Sequence, residues 1–247
     1  MPSLPTLRIN LRTVPIFVLV CSEHKRERIK EVLRGYNYTI VEGITSYKGE
    51  KIPRLCGAVG HARLIREGIK TGGPFIILED DCEWFDVGVH VRREEIEVPL
   101  DADAVFVGIS IFGLNPITGY ACMLLLGNEY NESCARVFNM LSAHALLILS
   151  TDYALSYYAC VVEAATRIEK GESQLICDML SSRLGFTHSV YALKTPLFFQ
   201  DATVGGEERP TRFVINESVR LSTPDQSLHQ MFESTKPIAV LTLLGQV

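Results

Sequence analysis

The sequence has no Cys-x-x-Cys pair, no internal repeat, no low-complexity tract, and no apolar run near the ~20 residues that cross a bilayer. Each absence removes a class of protein. The seven cysteines (Cys21, Cys56, Cys82, Cys122, Cys134, Cys160, Cys177) are scattered and odd in number, and several lie in apolar runs. That usage predicts reduced, mostly buried thiols in a cytosolic protein, and argues against a disulfide framework or structural zinc. Pro2, Pro5, Arg8 and Arg12 interrupt the opening segment, so no signal peptide is expected and the chain reads as soluble and cytoplasmic. Positive charge is also in deficit: 24 Lys and Arg stand against 29 Asp and Glu, a net charge of -5. Non-specific binding to nucleic acid or anionic lipid is therefore disfavoured. A local basic cleft stays open, because Lys25, Arg26, Arg28 and Lys30 cluster, as do Arg63 and Arg66.

What is present is ordinary core-forming material. The 247 residues are 47% hydrophobic and 21% charged, which suits one α/β domain with elaborations over residues 1–247. Residues 14–21 form a continuous β-branched apolar run, the mark of a strand buried on both faces. Ser22 is a good N-cap, and residues 23–34 read as a helix with Ile29, Val32 and Leu33 on one face, closed by Gly35. A strand at 38–41 completes a βαβ unit. Residues 58–70 read as a helix stopped by Gly72-Gly73-Pro74, and 75–78 as a short apolar strand. Further strands are expected at 104–109, 145–149 and 190–193, with helices at 152–170 and 173–184. The loop 203–210, with Gly205-Gly206, is a lid candidate. Residues 238–244 suit a late strand, an edge cover or an oligomer contact. This alternation predicts a mostly parallel, Rossmann-like central sheet flanked by helices, with ligands at the carboxyl ends of its strands.

Glu79-Asp80-Asp81 follows the apolar strand 75–78 directly. Alternation at a strand end sends Glu79 and Asp81 to one side and Asp80 to the other. Two carboxylates that close repel each other and raise each other's pKa unless a cation lies between them. A hard divalent ion, Mn2+ or Mg2+, suits oxygen ligands and shares them with substrate phosphates. The bland alternative is a solvated acidic turn paired with nearby Lys or Arg.

Ile77-Leu78-Glu79-Asp80-Asp81 resembles the acidic motif of GT-A glycosyltransferases, and the order of motifs resembles family 25, the lipopolysaccharide and collagen galactosyltransferase group. Cys56-Gly57-Ala58-Val59-Gly60-His61 stands where that family has Gly-Cys-x-x-Ser-His, with Gly and Cys exchanged and Gly60 in place of Ser. His144-Ala145-Leu146 resembles the family's His-Ala-aromatic strand without the aromatic, Asp178 matches a helical Asp, and Pro196 to Gln200 matches Pro-x-x-x-Gln. The resemblance spans roughly residues 14–201.

It implies a GT-A-like fold with a donor-binding half at about 1–110 and an acceptor or catalytic half at about 111–247. It further implies Glu79 and Asp81 as metal ligands, and donor contacts from Cys21, Ser22, Arg26, Glu42, His61, Glu79, Asp80 and Gln200. For Ser22 and Arg26 the alternatives are a plain N-cap and a solvated helix charge; for His61 and His144, packed and hydrogen-bonded core residues. His144 is carried as a second catalytic candidate, and His144 or His188 as a third metal ligand of the kind many GT-A enzymes use. Asp178 is the candidate general base, because it interrupts the apolar stretch Leu175 to Leu180, where burial would raise its pKa.

The expected activity is metal-dependent, inverting transfer of a hexose from a nucleotide diphosphate sugar, UDP-sugar foremost, to a hydroxyl acceptor. A saccharide, a protein side chain, a lipid-linked glycan and a hydroxylated nucleobase all remain open as acceptor. Two alternatives stand beside it. Sugar nucleotidyltransfer uses similar acidic ligands, but Ser22-Glu23-His24-Lys25 is not a Gly-rich basic phosphate loop. A catalytically degenerate fold acting as a binding module is the other.

Overall fold

The computed structural model describes residues 5–84, 94–109, 112–114, 121–123, 126–130, 133–172 and 177–200. The expected lid at 203–210 and the stretch 238–244 lie outside them.

The chain opens with β1 (Thr6–Asn10), β2 (Ile16–Val20), α1 (Glu23–Val32), β3 (Tyr38–Glu42), α2 (Pro53–Ile69) and β4 (Phe75–Glu79). After the acidic turn come β5 (Cys82–Trp84), β6 (Glu95–Pro99) and β7 (Ala104–Phe106). Short strands follow: β8 (Phe112–Leu114), β9 (Ala121–Met123), β10 (Leu126–Tyr130) and β11 (Cys134–Val137). The last described elements are β12 (Ala145–Ile148), α3 (Thr151–Glu169), α4 (Cys177–Ser181), a 3-10 turn (Ser182–Phe186), β13 (Val190–Leu193) and β14 (Phe198–Gln200).

An eight-stranded sheet of order β10-β11-β13-β7-β12-β4-β2-β3 forms the centre. Six of its strands run one way, and β11 and β12 run against them, as the pairings along the sheet require. The mostly parallel sheet with flanking helices is therefore present, with a reversed β12 set into its middle. That strand places His144 beside the end of β4, because Ala145 stands opposite Leu78.

Both faces of the sheet are covered, which is why its strands are apolar without interruption. Phe17, Leu19, Phe75, Ile77, Phe106, Leu146 and Ile148 point to one side, packed with α2 and α3. Val18, Val20, Ile76, Leu78, Val105, Ala145 and Leu147 point to the other, where α1 supplies Ile29 and Val32, and β1 and β6 supply Ile9, Ile96 and Val98. Each such fully buried aliphatic side chain contributes roughly 1.5–3 kcal/mol.

Ser22 caps α1, its side chain accepting from the Lys25 amide. Helix α2 begins at Pro53, five residues before the expected start, because proline at the first helical position needs no amide partner. The glycine at 60 has a steric reason: a Cβ there would stand 2.6 Å from a Leu19 methyl on β2. The cysteines among the described residues are free thiols. Among the described residues, no helix is long and apolar enough to cross a membrane.

Candidate active site at the carboxyl edge of the sheet

Register brings the candidate residues to one edge. Val20 pairs with Glu42 and Leu19 with Glu79, so the ends of β2, β3 and β4 are level. Beyond Glu79 the chain turns through Asp80 and Asp81 into β5. The Glu79 amide donates to the His144 carbonyl at 2.9 Å, and the Cys82 thiol meets the same carbonyl at 2.9 Å.

The alternation expected for a strand end persists through this turn. Asp80 faces back toward β2: its Oδ2 accepts from the Cys21 amide at 2.9 Å, and its Oδ1 takes the Lys25 ammonium at 2.6 Å. The Asp80 side chain is 9% exposed, so these two partners offset most of the cost of burying its charge. Burial alone would lower the Lys25 pKa; Asp80 outweighs it and holds that ammonium above its ordinary value. One turn further along α1, the Arg28 guanidinium donates to the carbonyls of Asp80 and Cys82 and pairs with Glu83. Lys25 and Arg28 thus clamp the acidic turn onto α1. Their three-residue spacing on one helix face is the signal that could have assigned them this role; the sequence reading saw only a basic cluster.

Glu79 and Asp81 turn the other way and meet through Gln200. The Gln200 amide nitrogen lies 3.3 Å from Glu79 Oε2 and 3.2 Å from Asp81 Oδ2. Residue 200 reaches the turn because β14 pairs antiparallel with β5, setting Gln200 opposite Cys82. Asp81 Oδ1 is buried and has no hydrogen-bond partner among the described residues. Burial and then the Glu79 charge push the Asp81 pKa up to about 7.

Behind Glu79 stands His61. Its Nε2 is 2.9 Å from Glu79 Oε1 and its Nδ1 is 3.4 Å from the Tyr157 hydroxyl. The imidazole is 2% exposed, so it supports Glu79 from within the core. Tyr157, on α3, is a site neighbour the sequence reading did not name, and nothing local in the sequence marks it. The His144 ring turns toward the segment that follows β7: Nδ1 meets Ser142 Oγ at 2.8 Å, and a Cβ on Gly108 would fall 2.2 Å from Nε2.

Asp178 occupies the first turn of α4. Burial raises the pKa of Cys177 and Tyr157; the Asp178 charge and then that of Glu79 add to the rise at Cys177, and at Tyr157 both follow Cys177 and Tyr153. Arg26 pairs with Glu42 and Glu23 across the β2 and β3 ends, and Arg63 donates to the Glu42 carbonyl at 3.1 Å. His188 corrects one expectation. It precedes β13, whose first residue is level with the start of β7, so it lies at the opposite edge of the sheet, 3.3 Å from Asp152. It cannot serve the acidic turn.

A cation at this turn would have to be held in an open site. Among the described residues, no three His, Cys, Asp or Glu side chains group as a metal cage. Two carboxylates with the rest of the shell left to water and phosphate is the manner in which Mg2+ is usually held.

No protein-family model matches the chain, and no curated protein matches it. Among solved structures, a nucleoside-diphosphate-sugar pyrophosphorylase from Vibrio cholerae RC9 is similar at 14% identity and TM-score 0.39, covering 74% of this chain and 73% of that one. An apo UDP-glucose pyrophosphorylase is similar at 8% identity and TM-score 0.37, covering 76% of each. Likenesses this loose assign no family, and function has to be argued from the site.

Proposed function

We propose that this protein is an enzyme acting on nucleotide diphosphate sugars, and that its reaction is inverting transfer of a hexose to a hydroxyl acceptor. The observation that carries the reading is the Glu79–Asp81 pair, two carboxylates held together at the carboxyl edge with Asp81 raised to about 7. A divalent cation between them would remove the electrostatic cost of such a pair. Glu79 and Asp81 would hold Mn2+ or Mg2+, whose contribution is to offset charge on the departing diphosphate. The donor half, about residues 1–110, supplies those carboxylates, with Cys21, Ser22, Arg26 and Glu42 beside them for the nucleotide. The later half supplies Asp178 and Gln200. In the transfer step the acceptor oxygen bonds to the anomeric carbon as the bond to the diphosphate breaks, and Asp178 takes the acceptor proton.

Nucleotidyl transfer between a nucleotide and a sugar phosphate is the second reading. The observation favouring it is Lys25, which reaches the acidic turn from directly after β2, where a phosphate-gripping ammonium would be needed.

One assay separates the two. The protein is incubated with UDP-, GDP- and CMP-sugars with Mn2+ or with EDTA, and with or without pyrophosphate. Mn2+-dependent release of UDP, through transfer or slow hydrolysis, supports glycosyl transfer. Formation of UTP only when pyrophosphate is added supports the alternative. An Asp81→Ala protein that binds and turns over every donor as wild type does would refute both.

A further inference from the structure

The amide between the two carboxylates is placed by backbone pairing. Gln200 is the last residue of β14 and stands opposite Cys82, the residue after Asp81. Its Nε2 is near-equidistant from Glu79 Oε2 and Asp81 Oδ2, at 3.3 and 3.2 Å, the position a shared cation would take. Of the histidines near the turn, His61 bonds to Glu79 Oε1 through Nε2 and faces the Tyr157 hydroxyl through Nδ1, and His144 meets Ser142 Oγ through Nδ1 with its ring packed over Gly108. Asp81 Oδ1 lacks a hydrogen-bond partner among the described residues. An amide carries both a donor and an acceptor on one planar group, and rotation about its last bond exchanges them. Side-chain carbonyl oxygen is an accepted ligand for hard divalent ions.

We propose that Gln200 is the third protein ligand of the divalent cation held by Glu79 and Asp81. Without metal, its NH2 group bridges the carboxylates in the cation's stead; with metal, the amide turns and presents Oε1. The proposal rests on reading the carboxylate pair as a cation site. It also ties the cation to β14, whose Phe198 lies against Trp84, the sole tryptophan, at 4.3 Å between ring centroids.

The test is calorimetric titration of the full chain with Mn2+ alone, in wild type, Gln200→Leu, Gln200→Glu and Asp81→Asn, with Trp84 fluorescence followed in parallel. Gln200→Leu should bind Mn2+ about ten-fold more weakly. Gln200→Glu, which supplies a stronger oxygen ligand of the same shape, should bind at least as tightly as wild type. Mn2+ should change Trp84 emission in wild type and less in Gln200→Leu. If Gln200→Leu binds Mn2+ as tightly as wild type while Asp81→Asn does not bind, Gln200 is not a ligand and the carboxylate pair stands. Gln200→Glu is isosteric and covers the case in which Gln200→Leu does not fold; weaker Mn2+ binding by it overturns the proposal equally. If wild type binds no Mn2+, the reading of the pair itself falls, and the ligand role with it.

Discussion

Replacing Asp81 by Asn in metal-free protein isolates the cost of holding an ionised carboxylate at this position. Unfolded, Asp81 titrates near its ordinary 3.8; folded, burial and the Glu79 charge push it up to about 7. Between those values the folded state holds a proton that the unfolded state has lost. Stability must therefore fall as pH rises through that window, and level off above the folded pKa. At ~1.4 kcal/mol per pH unit, wild type should lose about 2 kcal/mol between about pH 5.5 and about pH 8.5 from this group. For a chain of this size that is a fall in Tm of about 4–8 °C. Asp81→Asn carries no charge there, so its Tm should follow the same pH profile with that component missing. Glu79 titrates together with Asp81, so the difference between the two profiles belongs to the pair, while the remaining titrating groups are common to both proteins. The assay is thermal unfolding in EDTA across the pH range, repeated with Mn2+, which should restore wild type at the alkaline end. Parallel pH profiles for wild type and Asp81→Asn in EDTA would refute the electrostatic argument.

Three further outcomes follow from the same geometry. Lys25→Met should lower stability by about 1–3 kcal/mol in urea unfolding, because Asp80 stays buried with its charge and keeps only the Cys21 amide; an unchanged midpoint would mean the clamp contributes nothing. Gly60→Ser should cost about 1–3 kcal/mol by pressing on Leu19, and should cost less when made in a Leu19→Ala background, the difference measuring the clash. Asp178→Asn should lower kcat for transfer about 10²–10⁴-fold with little change in donor KM; full activity would remove Asp178 as the base.

Much of the architecture was readable locally. The runs before Cys21 and Glu79, the Ser22 cap and the spacing of Ile29, Val32 and Leu33 each report a structure set by neighbours a few residues away. Helix α2 begins before the apolar-periodic stretch 58–70, because Pro53 at the first helical position favours the helix although proline also marks loops. The direction of β12 was not legible: a four-residue apolar strand looks the same run either way, and its neighbours in the sheet decide.

The same division holds at the site. Sequence alone determined that three acids end a buried strand, and that alternation sends Glu79 and Asp81 one way and Asp80 the other, since both follow from backbone geometry. Only the tertiary structure decided their partners. Lys25 and Arg28 on α1 take Asp80 and its turn, His61 with Tyr157 behind it takes Glu79, and the β14–β5 pairing delivers Gln200 to both remaining carboxylates. The same pairings carried His188 to the far edge of the sheet. Those contacts join residues 18 to 121 positions apart, and no local pattern encodes which distant strand closes against which.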